Sequence, residues 1–242
     1  MRIKTEGLAA AVVAAVLYLG VSASGQGTPV TINLTNVNGD PIVNVGGEEV
    51  YAGVYGGTSN LAGANTGIIC DDFYDEVGVP QTWSATAYQA SSLTSSNLSE
   101  VLFGGNNASG YQGIGIAGYA EIAYLVELSF KSSGNPTLQG DISEAIWSIS
   151  DPAISSTLDA AANALVAQAI ANAAATGDSM SQYANLWIYT PSPLIGAGEP
   201  QEMWGTVPEG GATLLYLLLA AAVCFGAMRL RSRNFDRSSG IA

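Results

Sequence analysis

Six of the seven basic residues stand at the two ends of the chain, each group beside an apolar run. Arg2 and Lys4 open the sequence, and Arg229, Arg231, Arg233 and Arg237 close it. Between them lies a single cation, Lys131, against seventeen carboxylates from Asp40 to Glu202, a net charge of −16 for that middle. Such a body has no basic footprint for a nucleic-acid backbone. With no histidine in 242 residues, imidazole metal sites and Ser-His-Asp or Cys-His machinery are excluded. With 48% hydrophobic and 11% charged residues, the chain is also too apolar for charge-driven disorder.

The first apolar run, 8–18, follows a positive start and precedes the small residues Val21-Ser22-Ala23-Ser24-Gly25. That order predicts a secretory signal peptide over 1–25, cleaved after Ala23 or Gly25; the alternative is an uncleaved anchor. The second run, 212–228, reaches roughly 26 Å as a helix, the low end of a bilayer span. Arginines follow it at once. The pattern predicts a transmembrane anchor over 212–230 and a basic cytoplasmic tail over 231–242, with Arg229, Arg231 and Arg233 fixing the orientation. The rival is a buried core helix, which rarely ends in three alternating arginines. The middle is then expected outside the inner membrane.

Immediately before the second run stands Val207-Pro208-Glu209-Gly210-Gly211. A Pro-Glu motif, one apolar segment and an arginine cluster at the extreme C-terminus resemble the PEP-CTERM sorting signal of bacterial exported proteins. The resemblance implies recognition by an exosortase-type protease acting near Pro208-Glu209, and association with the cell surface or an exopolysaccharide matrix. Gly210 stands where that signal usually carries a second proline.

The residues 26–204 suffice for one domain with its own core, joined to the anchor through 205–211. Alternation and turn residues predict strands over 28–37, 41–45, 49–55, 67–77 and 81–88, and closing strands over 185–189 and 202–207. In 28–37, Val30, Ile32 and Leu34 share one face. Helical spacing replaces alternation in the second part. Asn97 with Glu100 and Gly104 predicts a short helix, 113–130 a longer one, and Asp141 with Glu144 a capping box. That box would start a helix buried along Ile142, Ala145, Ile146 and Ile149 and ended by Pro152. Ser156 and Asp159 open an alanine-rich helix running to Gly177. The expectation is an α+β fold: a β-rich N-terminal half, as a small antiparallel sheet or sandwich, packed with several helices.

Tyr51-Ala52-Gly53, Cys70-Asp71-Asp72-Phe73, Thr82-Trp83 and Ala145-Ile146-Trp147 resemble exported PEP-CTERM proteins and, more distantly, the thioester domains of bacterial surface adhesins. In those domains a cysteine near the first strands is joined to a glutamine preceding an Ala-Ile-Trp motif. Here Ser143 takes the glutamine's place, and serine has no amide to expel. The resemblance implies a shared fold without that bond, unless another glutamine such as Gln139 serves.

Cys70 is the one cysteine of the exported part, since Cys224 lies in the second apolar run. It reads as an inert buried side chain, as a reactive or intermolecularly bridged thiol, or as a thioester partner. Asp71, Asp72, Asp75 and Glu76 form the densest charge cluster. As carboxylates they suit Ca²⁺, but strand alternation would split them between two faces, and a solvated strand end is the alternative. Paired acids, with Trp83, Trp147, Trp187 or Trp204 stacked on a sugar, would suit glycoside hydrolysis. No cofactor is implied. The leading expectation is a non-enzymatic exported protein whose partners are the membrane, the sorting protease and a surface polymer such as an exopolysaccharide. A surface adhesin using Cys70 and a secreted carbohydrate-active enzyme are the alternatives.

Overall fold

A computed structural model gives the fold and describes residues 27–37, 39–61, 65–73, 75, 77–105, 112–194, 200–206, 220 and 224. The chain divides into the units Met1–Thr206 and Val207–Ala242. Within the first unit, six strands close into an antiparallel barrel: β1 (Thr28–Asn36), β4 (Tyr55–Ser59), β5 (Asn65–Cys70), β8 (Met203–Thr206), β7 (Leu186–Pro191) and β6 (Gln81–Gln89), in that order around the wall. A separate hairpin, β2 (Ile42–Val45) and β3 (Glu48–Tyr51), stands between β1 and β4. Three helices, α1 (Gly115–Lys131), α2 (Pro136–Ser150) and α3 (Ala160–Thr176), fill the interval between β6 and β7.

Alternation along the strands divides the apolar residues between two cores. Val30, Ile32 and Leu34 of β1 point into the barrel, where they meet Ile68, Cys70, Trp83, Ala85, Tyr189 and Met203. The interior has room for these because Gly57 and Gly205 carry no side chain. A Cβ on Gly205 would lie 2.8 Å from the Tyr189 ring, and one on Gly57 would press on Ile68. The other face of β5, β7 and β8 presents Ile69, Leu186, Ile188 and Trp204 to the helices. There they pack with Tyr119, Ile122, Leu125 and Val126 of α1 and Ile142, Ile146 and Trp147 of α2.

The structure corrects the expected sheet or sandwich, for a closed barrel leaves no sheet edge unpaired. Two features hid the closure. The strand β4 reads Tyr-Gly-Gly-Thr-Ser, with too few apolar residues to show alternation. The last strand, β8, inserts between β5 and β7, a pairing across more than a hundred residues. Further, the segment expected as one strand over 49–55 breaks at Gly53, whose φ is +101°, and the strand expected over 67–77 ends at Cys70.

Helix starts differ as well. The N-cap of α2 is Asn135, whose side chain accepts from Leu138 N at 3.2 Å with Pro136 at the first helical position, so Asp141 and Glu144 lie within the helix rather than at its cap. Around Asn97 there is only a 3₁₀ turn, Leu98–Glu100, without a side-chain cap. Of the pair expected to open α3, Asp159 alone caps it, accepting from Ala161 N and Ala162 N at 2.8 Å each, while Ser156 lies in the 3₁₀ turn Pro152–Thr157; Gly177 ends the helix at φ +63°.

No helix among the described residues is long and apolar enough to cross a membrane. The expected C-terminal transmembrane helix is therefore not part of the fold established here. Of 212–230 only Ala220 and Cys224 are among the described residues, and the expected signal peptide and basic tail lie outside them.

Candidate functional site

Where β5 ends, the chain passes from Cys70 into Asp71, Asp72 and Phe73, and these residues diverge. Cys70 faces the barrel interior and is 2% exposed. Its thiol donates to Asp72 O at 2.9 Å and accepts from Asp72 N at 3.2 Å. Burial, with Asp72 and Asp71 nearby, pushes the thiol's pKa well up, so the group is a protonated thiol at neutral pH. The Trp147 indole N–H lies against the thiol and opposes the rise slightly.

The two positions tied to thioester chemistry are engaged elsewhere. Ser143 Oγ accepts from Gly53 N at 2.8 Å, fastening the segment after β3 to α2. The Gln139 amide is committed to α1: its Nε2 donates to Ser129 O at 2.7 Å, and Ser129 Oγ donates to its Oε1 at 3.1 Å.

Asp71 turns the opposite way, into the seam between barrel and helices. Trp204 Nε1 donates to its Oδ2 at 2.6 Å, while Oδ1 has no N–H or hydroxyl donor facing it. Beside it is Glu202, also 0% exposed. Glu202 Oε2 accepts from Leu102 N at 2.9 Å and Thr190 Oγ1 at 2.5 Å, and Oε1 from Tyr119 OH at 2.7 Å. Tyr119 OH in turn accepts from Phe103 N at 2.9 Å. Two adjacent carboxyls without a cation cannot both ionise in such a place. Burial and the Glu202 charge raise Asp71 far above the usual carboxylate range. Burial raises Glu202 too, although its donors and Asp71 oppose the rise. The pair therefore holds a proton between them instead of carrying two charges. Neither acid was grouped with the other from sequence. The available signal was the alternation of Glu202 with Trp204, which puts both on one strand face.

Asp72 and Asp75 form a third environment. Asp75 N donates to Asp72 Oδ1 at 3.3 Å, and Gln201 Nε2 donates to Asp72 O at 2.9 Å and also to Asp75 O. The acids are 0% and 3% exposed, so this is not a solvated strand end, and the cluster is divided by a turn rather than by strand alternation. Among the described residues no group of three or more His, Cys, Asp or Glu is placed to hold a metal ion; Glu76 lies outside them.

Asp72 and Asp75 instead line a cavity of about 500 Å³. Glu48, Glu49 and Tyr51 of the hairpin form one wall, and Leu34, Val37 and Tyr55 come from the barrel. Phe73 and Trp147, with ring centroids 5.5 Å apart, contribute another wall, and Gln201 lies beside them. Tyr55 OH donates to Tyr51 O at 2.6 Å, joining barrel to hairpin. Of the four tryptophans only Trp147 borders this space. Trp83 lies in the barrel core, Trp187 packs on that core, and Trp204 is sealed under α1. The sorting motif Val207–Gly211 and Arg229, Arg231 and Arg233 lie outside the described residues. No family model, no curated protein and no solved structure matches the chain.

Proposed function

We propose that the chain is an exported, non-enzymatic protein of the cell surface or exopolysaccharide matrix. A signal peptide over 1–25 sends it out, and an exosortase-type protease sorts it through Val207-Pro208-Glu209-Gly210-Gly211. The observation that carries this reading is the charge layout: basic, apolar segments at both ends bracket a body whose single cation is Lys131. The local chemistry supports binding rather than turnover. The one thiol of the body is protonated, and the coupled carboxyls Asp71 and Glu202 are sealed from any substrate. The accessible space is an acidic, aromatic-lined cavity suited to holding a ligand.

Fractionation of cells with and without the sorting protease tests the proposal. The expected exported form lacks residues 1–25 and has a C-terminus near Pro208-Glu209, both read by intact mass. A full-length, leader-bearing chain dissolved in the cytosol would overturn it.

A further inference from the structure

We infer that the proton shared by Asp71 and Glu202 latches strand β8: when the pair loses it, β8 leaves the wall while the other five strands stay paired. The inference goes beyond export and sorting and rests on the fold alone.

The topology makes β8 separable. It is four residues long, and its ladder partners are β5 and β7. Lifting it out leaves the continuous sheet β5-β4-β1-β6-β7, with every other pairing in the wall intact. The side chains that fasten its entry converge on the acid pair. Trp204 Nε1 donates to Asp71 Oδ2 at 2.6 Å, which ties β8 to the end of β5. Glu202, directly before β8, is bonded to Leu102 N, Tyr119 OH and Thr190 Oγ1, and to Asp71 itself. Both carboxyls are 0% exposed.

Among the described residues no positive charge faces the pair. The titratable groups around it are Cys70 on β5, Asp72 just after that strand, Tyr119 on α1, and Tyr88 on β6, which Glu100 also faces. The one described cation, Lys131, pairs with Glu127 at 2.9 Å. With the proton in place the pair carries one charge, and the donors to Glu202 meet it. Without the proton, two charges face each other away from water with Asp72 beside them, and nothing in the seam offsets the second. Releasing β8 carries Glu202 to solvent and parts the two.

The direction of the pH effect follows from burial. In the closed wall the pair keeps its proton above the usual carboxylate range; with β8 out, both acids return toward ordinary values near 4. Opening therefore releases a proton, and its equilibrium rises with pH between those two ranges. Acid shuts the latch, and alkali loosens it.

Amide hydrogen exchange of the full chain in mild detergent, read by peptide mass from pH 6 to 8 and corrected for the intrinsic rate, tests this. Amides of Met203–Thr206 are expected to exchange faster than those of the β1–β6 ladder, through an opening insensitive to low urea. That opening should grow about tenfold per pH unit, the slope for one released proton. Asp71→Asn, which gives Glu202 a neutral partner, should flatten the slope while the β1–β6 ladder stays protected. Asp141→Asn, at a raised carboxyl beside Asp159 on α2, should keep it. β8 amides no faster than the β1–β6 ladder, a parent with no slope, or an Asp71→Asn chain with the parent's slope would each overturn the latch. If Asp71→Asn fails to fold, the parent's slope and urea response still decide. None of these outcomes bears on export or sorting, which the fractionation experiment reads separately.

Discussion

At the scale of single residues, most polar groups around Cys70 serve structure. The thiol is enclosed by the barrel and bonded to the Asp72 backbone, so it should resist reagents that attack thiolates. Iodoacetamide at pH 8 is expected to leave Cys70 unmodified in the folded protein and to label it after urea unfolding, as read by peptide mass. Rapid native labelling would show an accessible thiolate. Ser143 makes the same point for a hydroxyl. Its Oγ is the acceptor for the buried Gly53 N–H, and Ser143→Ala strands that donor, at a cost of about 1–3 kcal/mol in urea unfolding. Cys70 as a buried side chain was one of the readings the sequence offered. The job of Ser143 was not legible, because the group it satisfies lies ninety residues away.

At the scale of elements, local signals worked where the chemistry is local. Asp159 stands directly before an alanine-rich run and caps it, and Gly177 closes that helix with the positive φ that glycine tolerates. The start of α2 was misread because two capping signals compete six residues apart. Asn135 with Pro136 prevails, since proline at the first turn lacks only an N–H that has no helical partner anyway. Asn135→Ala should cost about 1 kcal/mol, measured by the midpoint of urea unfolding, while Asp141→Ala should cost less. Strand β4 shows the limit of pattern reading. Gly57 is there for what the barrel interior cannot fit, namely a Cβ against Ile68, and Gly56 for the Asn36 side chain of β1; both reasons are invisible without the partner strands. The pocket was only partly legible for the same reason. Its acids at 71–76 stood out as a cluster, but Glu48, Glu49 and Gln201 join Asp72 and Asp75 only after the hairpin and the last strand are in place.

At the scale of the whole molecule, the shifted carboxyls act in one direction. Asp71 and Glu202 are raised by burial, as are Asp40, to about 6, and Glu121, Asp141 and Glu144. A carboxyl with a raised pKa holds its proton in the folded chain when the unfolded chain has lost it. Stability is therefore fullest below the unfolded values near 4 and falls as pH rises through the folded ones. The unfolding midpoint in urea should be higher at pH 5 than at pH 8. Asp71→Asn, which keeps a neutral group beside Glu202, should flatten that dependence. Glu202→Gln should destabilise at both pH values, because it places an amide before donors from Leu102, Thr190 and Tyr119. An unchanged slope in the Asp71 variant would show that the proton resides elsewhere.

The order of strands also governs when the barrel is able to exist. Strands β5 and β7 wait for Met203–Thr206, the final piece of the wall, and only Val207 stands between that piece and Pro208. A chain folded only as far as β7 is thus a wall with one gap, and the four residues before Val207 shut it.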